Sequence, residues 1–254
     1  MQREPARGAA ALSIDGLTKE YGTLRAVDEL TLTIPEAEVF GLLGPNGSGK
    51  TTTINCITGL VKPTRGTVKV LGFDAQSEGL EARNVMGVSP QETAVYPYLT
   101  GEENVRLFGE LYSVPKKALD ARVDYVLEKV GLLDEARHRV SKYSGGMKRR
   151  VSIAMALVTD PRVILLDEPT VGMDPQARRA VWDFIAELRD ERKTIMLTTH
   201  YMEEAEELCD EAGIIDHGRL IELGPPSDLK AKYRARDLED VFIQLTGRRI
   251  REGA

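Results

Sequence analysis

A glycine-rich loop followed by a lysine and a threonine constrains the fold of this chain more than any other feature of its sequence. Eight consecutive residues fit the phosphate-binding pattern G-x-x-x-x-G-K-[ST] at every fixed position. They are Gly44, Pro45, Asn46, Gly47, Ser48, Gly49, Lys50 and Thr51. The apolar run 39–43 before the loop is typical of a buried parallel strand, and residues 51–57 suit the start of a helix. A strand, a glycine loop and a helix in this order predict a real phosphate site.

The residue types in this loop explain how it would bind phosphate. Glycines allow the backbone to curl so that several N–H groups point inward, and the helix N-terminus adds partial positive charge. Lys50 would neutralise the outer phosphates, and the Thr51 hydroxyl can bind Mg²⁺. The next residue, Thr52, is also predicted to bind the nucleotide. The alternative is a glycine-rich turn that carries a lysine by chance, and the agreement of both flanks argues against it.

The composition limits which partners and which cellular compartment are expected for this chain. The 254 residues carry a formal net charge of -6, which argues against nucleic acid as the main partner. The two cysteines, Cys56 and Cys209, are far apart and lack metal-ligand neighbours, as expected in a reducing compartment. Residues 1–10 show no secretory signal, and the longest apolar runs are too short to cross a bilayer. Any role at a membrane is therefore expected to depend on a partner.

The order of predicted strands and helices indicates an α/β fold. We expect a phosphate-loop NTPase core with a mainly parallel sheet, an antiparallel β lobe in its N-terminal part and a helical insert. A capping box at Thr100–Glu103 starts the insert's first helix, and Asp174-Pro175 starts another helix later in the chain. The predicted divisions are a tail at 1–11, an ATPase domain at 12–224 with a helical subdomain at about 92–150, and a C-terminal extension at 225–254.

A second apolar run, residues 163–166, ends in two carboxylates, Asp167 and Glu168. Ligands of open α/β sheets lie at the carboxyl ends of the strands, so these side chains are candidates for the same site. Asp167 can hold Mg²⁺ through a water, and Glu168 can polarise an attacking water. The alternative is a helix cap before Pro169, which either acidic residue would also serve.

Tyr143-Ser144-Gly145-Gly146-Met147 completes the pattern. A serine hydroxyl and exposed glycine N–H groups at a helix start form a second anion site, although an ordinary helix entry has the same composition. Together with the two earlier elements, this stretch resembles the ATPase subunits of ABC transporters, whose signature is usually Leu-Ser-Gly-Gly-Gln. Ser144, Gly145 and Gly146 match, whereas Tyr143 and Met147 depart from it.

The resemblance assigns roles to further residues in family order. Tyr21 corresponds to the aromatic residue that stacks on adenine, and Gln91 to the glutamine that senses Mg²⁺ and the attacking water. Gly172-Met173-Asp174 resembles the D-loop, and His200 the switch histidine. The resemblance therefore implies Glu168, His200 and Gln91 as catalytic residues. The implied metal ligands are Thr51, Gln91 and Asp167, and the implied cofactors are ATP and Mg²⁺. Each position also has an ordinary structural explanation; their common order favours the family.

Three further segments indicate the subfamily, although their similarity is less specific than that of the motifs above. The run from Tyr143 to Arg150, the segment that follows His200 and the ending at 238–247 are similar to ATPases of ABC-2 type exporters of the daunorubicin-resistance and nodulation kinds. The same residues also suit the surfaces of helices.

The resemblance implies a head-to-tail pair of ATPase subunits, expected as a homodimer, with ATP between Lys50 of one and Ser144 of the other. It also implies a membrane permease partner that docks on the helical insert and on residues 92–100, and a cytoplasmic location on the inner face of the membrane. The rival function is a soluble ABC ATPase acting on ribosomes or DNA. A non-catalytic nucleotide-binding scaffold is a third class, and Glu168 and His200 argue against it.

Overall fold

The computed structural model describes residues 10–247. Its strands, in chain order, are β1 (Ala10–Tyr21), β2 (Leu24–Pro35), β3 (Val39–Leu43), β4 (Arg65–Val70), β5 (Phe73–Asp74), β6 (Met86–Ser89), β7 (Val163–Asp167), β8 (Thr194–Thr199), β9 (Glu211–Asp216) and β10 (Arg219–Gly224). Its α-helices are α1 (Lys50–Ile57), α2 (Gly79–Asn84), α3 (Gly101–Leu111), α4 (Lys116–Lys129), α5 (Gly145–Leu157), α6 (Pro175–Asp190), α7 (Met202–Leu208), α8 (Pro226–Tyr233) and α9 (Leu238–Thr246). These elements confirm the predicted α/β class.

The central sheet has six strands in the order β10-β9-β3-β8-β7-β6. Its strands pair in parallel except at one edge, where β10 runs antiparallel to β9. Every residue of β3, β7 and β8 is buried, which explains their continuous apolar runs. Because these strands are parallel, the carboxyl ends of β3, β6, β7 and β8 lie together at one end of the sheet. The residues 44–49, Gln91, Glu168 and His200 follow the strands at that end.

The antiparallel lobe is a four-stranded sheet in the order β2-β1-β4-β5. A tight turn joins β1 to β2, with Tyr21 opposite Leu24 at its base. The first strand begins at Ala10, and Ala11 is fully buried, so the last two residues of the predicted tail belong to this sheet. The rest of that tail, residues 1–9, lies outside the described residues. The lobe places Tyr21 and the β1–β2 turn beside the glycine loop.

The helical insert consists of α3 and α4, which pack with α5 against one side of the core. The predicted capping box is present: the Thr100 side chain accepts a hydrogen bond from the Glu103 N–H at 3.1 Å, and the Glu103 carboxylate accepts one from the Thr100 N–H at 2.8 Å. Beyond the sheet, α8 and α9 pack with α7 around buried Leu238 and Phe242. Within the predicted C-terminal extension the structure shows these two helices, α8 and α9, and residues 248–254 lie outside the described part of the chain.

Candidate active site

The glycine loop connects β3 to α1 and is shaped by positions that only glycine fits. Gly49 has a φ of 108°, and a Cβ there would lie 2.4 Å from the carbonyl oxygen of Ala26. A Cβ on Gly44 would lie 2.2 Å from the carbonyl oxygen of Ile215. The Ser48 Oγ is buried and has no hydrogen-bond partner among the described residues. A buried hydroxyl without a partner in a tightly curved loop fits the binding of phosphate oxygens.

Lys50 points back into this loop. Its Nζ donates hydrogen bonds to the carbonyl oxygens of Gly44 at 2.8 Å and Pro45 at 3.1 Å, and it lies 3.4 Å from Oε1 of Glu168. Burial lowers the pKa of the Lys50 ammonium, and the charges of Glu168 and Asp167 oppose that shift. A cation is therefore held where the phosphates of a nucleotide would lie.

Glu168 is the point at which the catalytic candidates meet. Its Oε1 lies 3.4 Å from Nδ1 of His200, and its Oε2 accepts a hydrogen bond from Nε2 of Gln91 at 3.3 Å. Burial alone would raise the pKa of the Glu168 carboxyl, but His200 and Lys50 together hold that pKa below its usual value. Glu168 is thus a carboxylate at neutral pH, as a residue that polarises water must be.

Asp167 lies at the end of β7 with its side chain almost fully buried. It accepts a hydrogen bond from the hydroxyl of Thr198, and the same hydroxyl accepts one from the Glu168 N–H at 3.1 Å. The predicted metal ligands Thr51, Gln91 and Asp167 offer hydroxyl, amide and carboxylate oxygens, the donors that suit Mg²⁺. Within residues 10–247 there is no group of three or more His, Cys, Asp or Glu side chains that could hold a metal ion.

One open cavity brings most of the predicted residues together. It is lined by Tyr21, Leu24, Ala26, Asn46, Gly47, Gly49, Lys50, Thr51, Thr52, Gln91 and Glu168. Tyr21 is 47% exposed, and the Lys19 ammonium lies 4.8 Å from the centre of its ring. An exposed aromatic face at the mouth of a phosphate-binding cavity is suited to stacking on a base.

The signature residues do not line this cavity. Ser144 and Gly145 are exposed at the start of α5, where the Ser144 hydroxyl accepts a hydrogen bond from the Met147 N–H at 3.2 Å. Gly145 lines an adjoining cavity together with Gln91, Glu168 and Gly172. Gly146 is partly exposed in the first turn of the same helix. The structure therefore leaves the signature outside the nucleotide cavity of its own chain.

Two residues of this site were missed in the sequence analysis. The Thr198 hydroxyl donates to the Asp167 carboxylate and accepts from the Glu168 backbone N–H, but a threonine in an apolar strand carries no signal of that role. Arg149 is buried and donates hydrogen bonds to backbone carbonyls next to Gln91 and on both sides of Glu168. The sequence analysis used Arg149 only as part of the run that indicates the subfamily. An arginine on the buried face of a predicted helix indicates a specific buried role, because arginine is seldom buried without partners.

These features define a phosphate-loop ATPase. The site combines a glycine loop and its buried lysine with an aspartate–glutamate pair at the end of another strand of the sheet, and a histidine lies beside that glutamate. The family follows from comparison with known proteins: the model of the ABC transporter family matches residues 27–171, more than half of the chain. The chain belongs to this family and is one of its ATP-binding, ATP-hydrolysing subunits.

Curated relatives agree over almost the whole chain. It is 41% identical to the linearmycin resistance ATP-binding protein of Bacillus subtilis, over 95% of this chain and 76% of that protein. It is 42% identical to the Nod factor export ATP-binding protein I of Ralstonia nicotianae, over 91% of this chain and 72% of the relative. It is 40% identical to a daunorubicin resistance ATP-binding protein of Streptomyces coeruleorubidus, over 93% of this chain and 75% of the relative. The predicted resemblance is thereby confirmed.

Solved structures show the same fold. The ATP-binding subunit of an ABC transporter superposes with a TM-score of 0.84 at 28% identity, over 93% of this chain and 99% of that one. A dimeric ATP-binding cassette in a post-hydrolysis state, bound to ADP and Pi, superposes with a TM-score of 0.77 at 27% identity, over 84% of this chain and 98% of that one. Within residues 10–247, no helix has both the length and the apolar character needed to span a membrane.

Proposed function

We propose that this chain is the ATPase subunit of an ABC-2 type export system and drives a separate membrane permease. One observation carries the proposal: the cavity with Lys50, Gln91 and Glu168 opens toward solvent, while the signature that should complete the site lies outside that cavity on the same chain. Such a chain needs a second ATPase subunit to close its site. The names of its relatives, which refer to drug resistance and Nod factor export, support export as the work that hydrolysis drives.

The site residues divide the reaction among them. Lys50, the glycine loop and Tyr21 would hold the phosphates and the base. Glu168 would orient and polarise the attacking water, while His200 and Gln91 contact its two carboxylate oxygens and fix its direction. When bound, Mg²⁺ would withdraw charge from the phosphate oxygens. Thr51, Gln91 and Asp167 are proposed to hold it.

A second copy of the chain is the proposed partner in the ATP sandwich. The exposed Ser144 hydroxyl and the N–H groups of the first turn of α5 would form an anion site outside the cavity that contains Lys50. In a head-to-tail pair, this site can meet the γ-phosphate held by Lys50 of the other copy. The solved dimeric cassette with 27% identity supports this arrangement. ATP would then bind two subunits together, and its hydrolysis would release them.

The permease is proposed to dock in an apolar groove between the helical insert and the core. Its lining includes Leu60, Met86, Val88, Phe108 and Tyr112. Leu60 is 77% exposed and Tyr112 is 49% exposed, and Leu111 continues this apolar surface at 65%. The predicted docking segment 92–100 adds two exposed tyrosines, Tyr96 and Tyr98. Exposed apolar side chains of this size favour a protein partner. They would hold the chain on the cytoplasmic face of the membrane.

Co-expression with a candidate permease, chosen from the membrane proteins of neighbouring genes, tests the permease assignment. The chain should sediment with membranes only when that protein is present, and detergent should release the two as one complex. Leu60→Glu should leave the chain in the supernatant with its ATP affinity unchanged. The matched control is Leu133→Glu, which places the same charge at another exposed leucine outside the groove. Sedimentation with ribosomes or DNA instead of membranes would favour the rival function.

A further inference from the structure

Arg149 lies on the buried face of α5 with only 3% of its surface exposed. Its guanidinium donates to four backbone carbonyls. Nε donates to Pro169 at 3.2 Å and Nη1 to Gln91 at 3.2 Å, while Nη1 and Nη2 also make short contacts with Pro90 and Asp167, respectively. Within residues 10–247, the hydrogen bonds of this guanidinium go to backbone carbonyls rather than to carboxylates.

The four carbonyls belong to two segments that are far apart in the sequence. Pro90 and Gln91 follow the end of β6, whereas Asp167 and Pro169 lie on either side of Glu168. Glu168 has a φ of 52°, in the left-handed region that residues with a side chain seldom adopt. The planar guanidinium therefore bridges the backbone of Gln91 to the carbonyls of Asp167 and Pro169, the residues before and after Glu168.

The protonation state of Arg149 suits this role. Burial lowers its pKa to about 10, against the opposing charges of Asp167, Glu168 and Glu204. The side chain thus remains a cation at neutral pH. A lysine could not replace it fully, because an ammonium has three donors and lacks the flat fork that reaches several carbonyls at once.

We propose that Arg149 is a positioning residue that fixes Gln91 and Glu168 relative to each other for ATP hydrolysis. The proposal rests on the hydrolytic roles proposed above for these two residues. Because Arg149 lies in the helix that begins at the signature, it also ties the position of that helix to the glutamate. Arg149 lines the adjoining cavity with Gln91 and Glu168 but not the cavity that contains Lys50 and Tyr21, so its loss should reduce turnover more than nucleotide affinity.

The neighbouring arginine provides a matched control. Arg150 also donates to backbone carbonyls, at 2.9 Å to Val130 and 3.1 Å to Gly131, but these belong to the helical insert. Arg149→Lys and Arg150→Lys therefore each remove guanidinium contacts to backbone carbonyls, at adjacent positions of one helix. Only the first should disturb the catalytic segments.

The experiment is a double-mutant cycle on the full chain with Mg²⁺ and ATP. Arg149→Lys should lower kcat about 10- to 100-fold, the range expected when a reacting group is displaced by about 1 Å. ATP affinity and the thermal midpoint should remain close to those of Arg150→Lys. In a Glu168→Gln background, single-turnover hydrolysis should fall less than about threefold on adding Arg149→Lys, because the two residues act as a unit.

Hydrogen–deuterium exchange gives an independent readout. Arg149→Lys should speed exchange in residues 163–171 and 86–92, whereas Arg150→Lys should leave both segments unchanged. The proposal would be overturned if the rate losses caused by Arg149→Lys and Glu168→Gln simply multiplied in the double variant. It would also be overturned if Arg149→Lys left hydrogen–deuterium exchange unchanged in both segments. Failure of both Arg149→Lys and Arg149→Gln to fold would overturn it as well, because that result would assign Arg149 to the fold alone. If the single variant Glu168→Gln hydrolyses ATP normally, Glu168 is not the base. In that case, hydrogen–deuterium exchange still decides whether Arg149 holds the two segments together.

Discussion

The ammonium of Lys50 lies 3.4 Å from Oε1 of Glu168, although the two residues follow strands that are separated in the sheet by β8. Both side chains are 96% buried, so each charge partly compensates the desolvation of the other. A γ-phosphate that binds Lys50 would replace Glu168 as its anionic partner. The carboxylate would then be free to act on water beside that phosphate. The contact thus links nucleotide binding to the readiness of the proposed base.

Replacing the lysine tests the phosphate site directly. Lys50→Ala should weaken ATP binding about 10- to 100-fold, because hydrogen bonds to charged groups contribute about 1.5–3 kcal/mol each. The far-UV circular dichroism spectrum should be unchanged, since the loop lies at the end of β3 and outside the packed core. Lys117→Ala, at an exposed position of α4, is the control. Titration calorimetry that gives equal affinities for Lys50→Ala and the parent would refute the site.

Tyr21 at the mouth of the cavity should contribute by stacking. Stacking of a base on an aromatic side chain is worth about 1–3 kcal/mol in nucleic-acid sites, and the same scale is expected for adenine. Tyr21→Ala should therefore weaken ATP binding, whereas Tyr21→Trp should largely keep it. Tyr98→Ala, at a tyrosine that is 81% exposed outside the cavity, should have no effect on affinity. Similar affinities for the alanine and tryptophan variants at Tyr21 would exclude the stacking role.

Glu168→Gln separates hydrolysis from binding. The amide keeps the size of the side chain but loses its charge, so hydrolysis should fall by roughly 10²–10⁴-fold, the usual contribution of a positioned general base. ATP should still bind because Lys50 and the glycine loop are unchanged. With hydrolysis blocked, ATP and Mg²⁺ should hold two subunits together.

Size-exclusion chromatography of this variant and the parent, with a steady-state ATPase assay, measures both effects. Normal hydrolysis would refute the role of Glu168 as the base. An inactive variant that stays monomeric would support the base but argue against pairing of two identical chains. It would indicate another ATPase subunit, or a need for the permease.

The contact between His200 and Glu168 should be visible in the pH dependence of hydrolysis. In the parent, His200 and Lys50 hold the pKa of Glu168 below its ordinary value of 4.5, so the acidic loss of kcat should lie below that pH. His200→Ala removes one stabilising partner of the carboxylate, so the pKa of Glu168 should rise and the acidic loss should move to higher pH. The residual rate should also be lower at every pH.

His138 supplies the control for this measurement. It is an exposed histidine whose Nδ1 lies 2.6 Å from Oε2 of Glu135, and it does not line the cavity. His138→Ala should therefore leave the pH profile of kcat unchanged. An acidic loss at the same pH in His200→Ala and the parent would show that the contact does not tune Glu168.

The tyrosine that departs from the usual signature should contribute to stability. Tyr143 is buried, and its hydroxyl donates to the backbone carbonyl of Glu135. Tyr143→Phe should lower the free energy of unfolding by about 1 kcal/mol, the typical net contribution of such a hydrogen bond. Urea denaturation measures the change, with Tyr98→Phe at an exposed position as control. Equal midpoints for Tyr143→Phe and the parent would mean that this hydrogen bond contributes nothing.

Local features of the fold were predictable because short-range rules decide them. The glycine loop, its flanking strand and its helix are contiguous, and their conformation follows from backbone sterics and adjacent hydrogen bonds. The capping box at Thr100 and the cap at Asp174, whose carboxylate accepts from the Ala177 N–H at 2.9 Å, are equally local. The apolar runs of β3 and β7 required burial on both faces and therefore a parallel sheet.

The sequence by itself thus determined the class of fold and the phosphate loop. Through family resemblance it also predicted Glu168, Gln91 and His200 as catalytic residues. Only the tertiary structure decided that these side chains meet at Glu168, that Ser144 lies outside the cavity of its own chain, and that Arg149 joins the segments around Gln91 and Glu168. These relations join residues that are distant along the chain. They depend on the order of strands in the sheet and on the packing of α5 against it, which no local pattern of residues specifies.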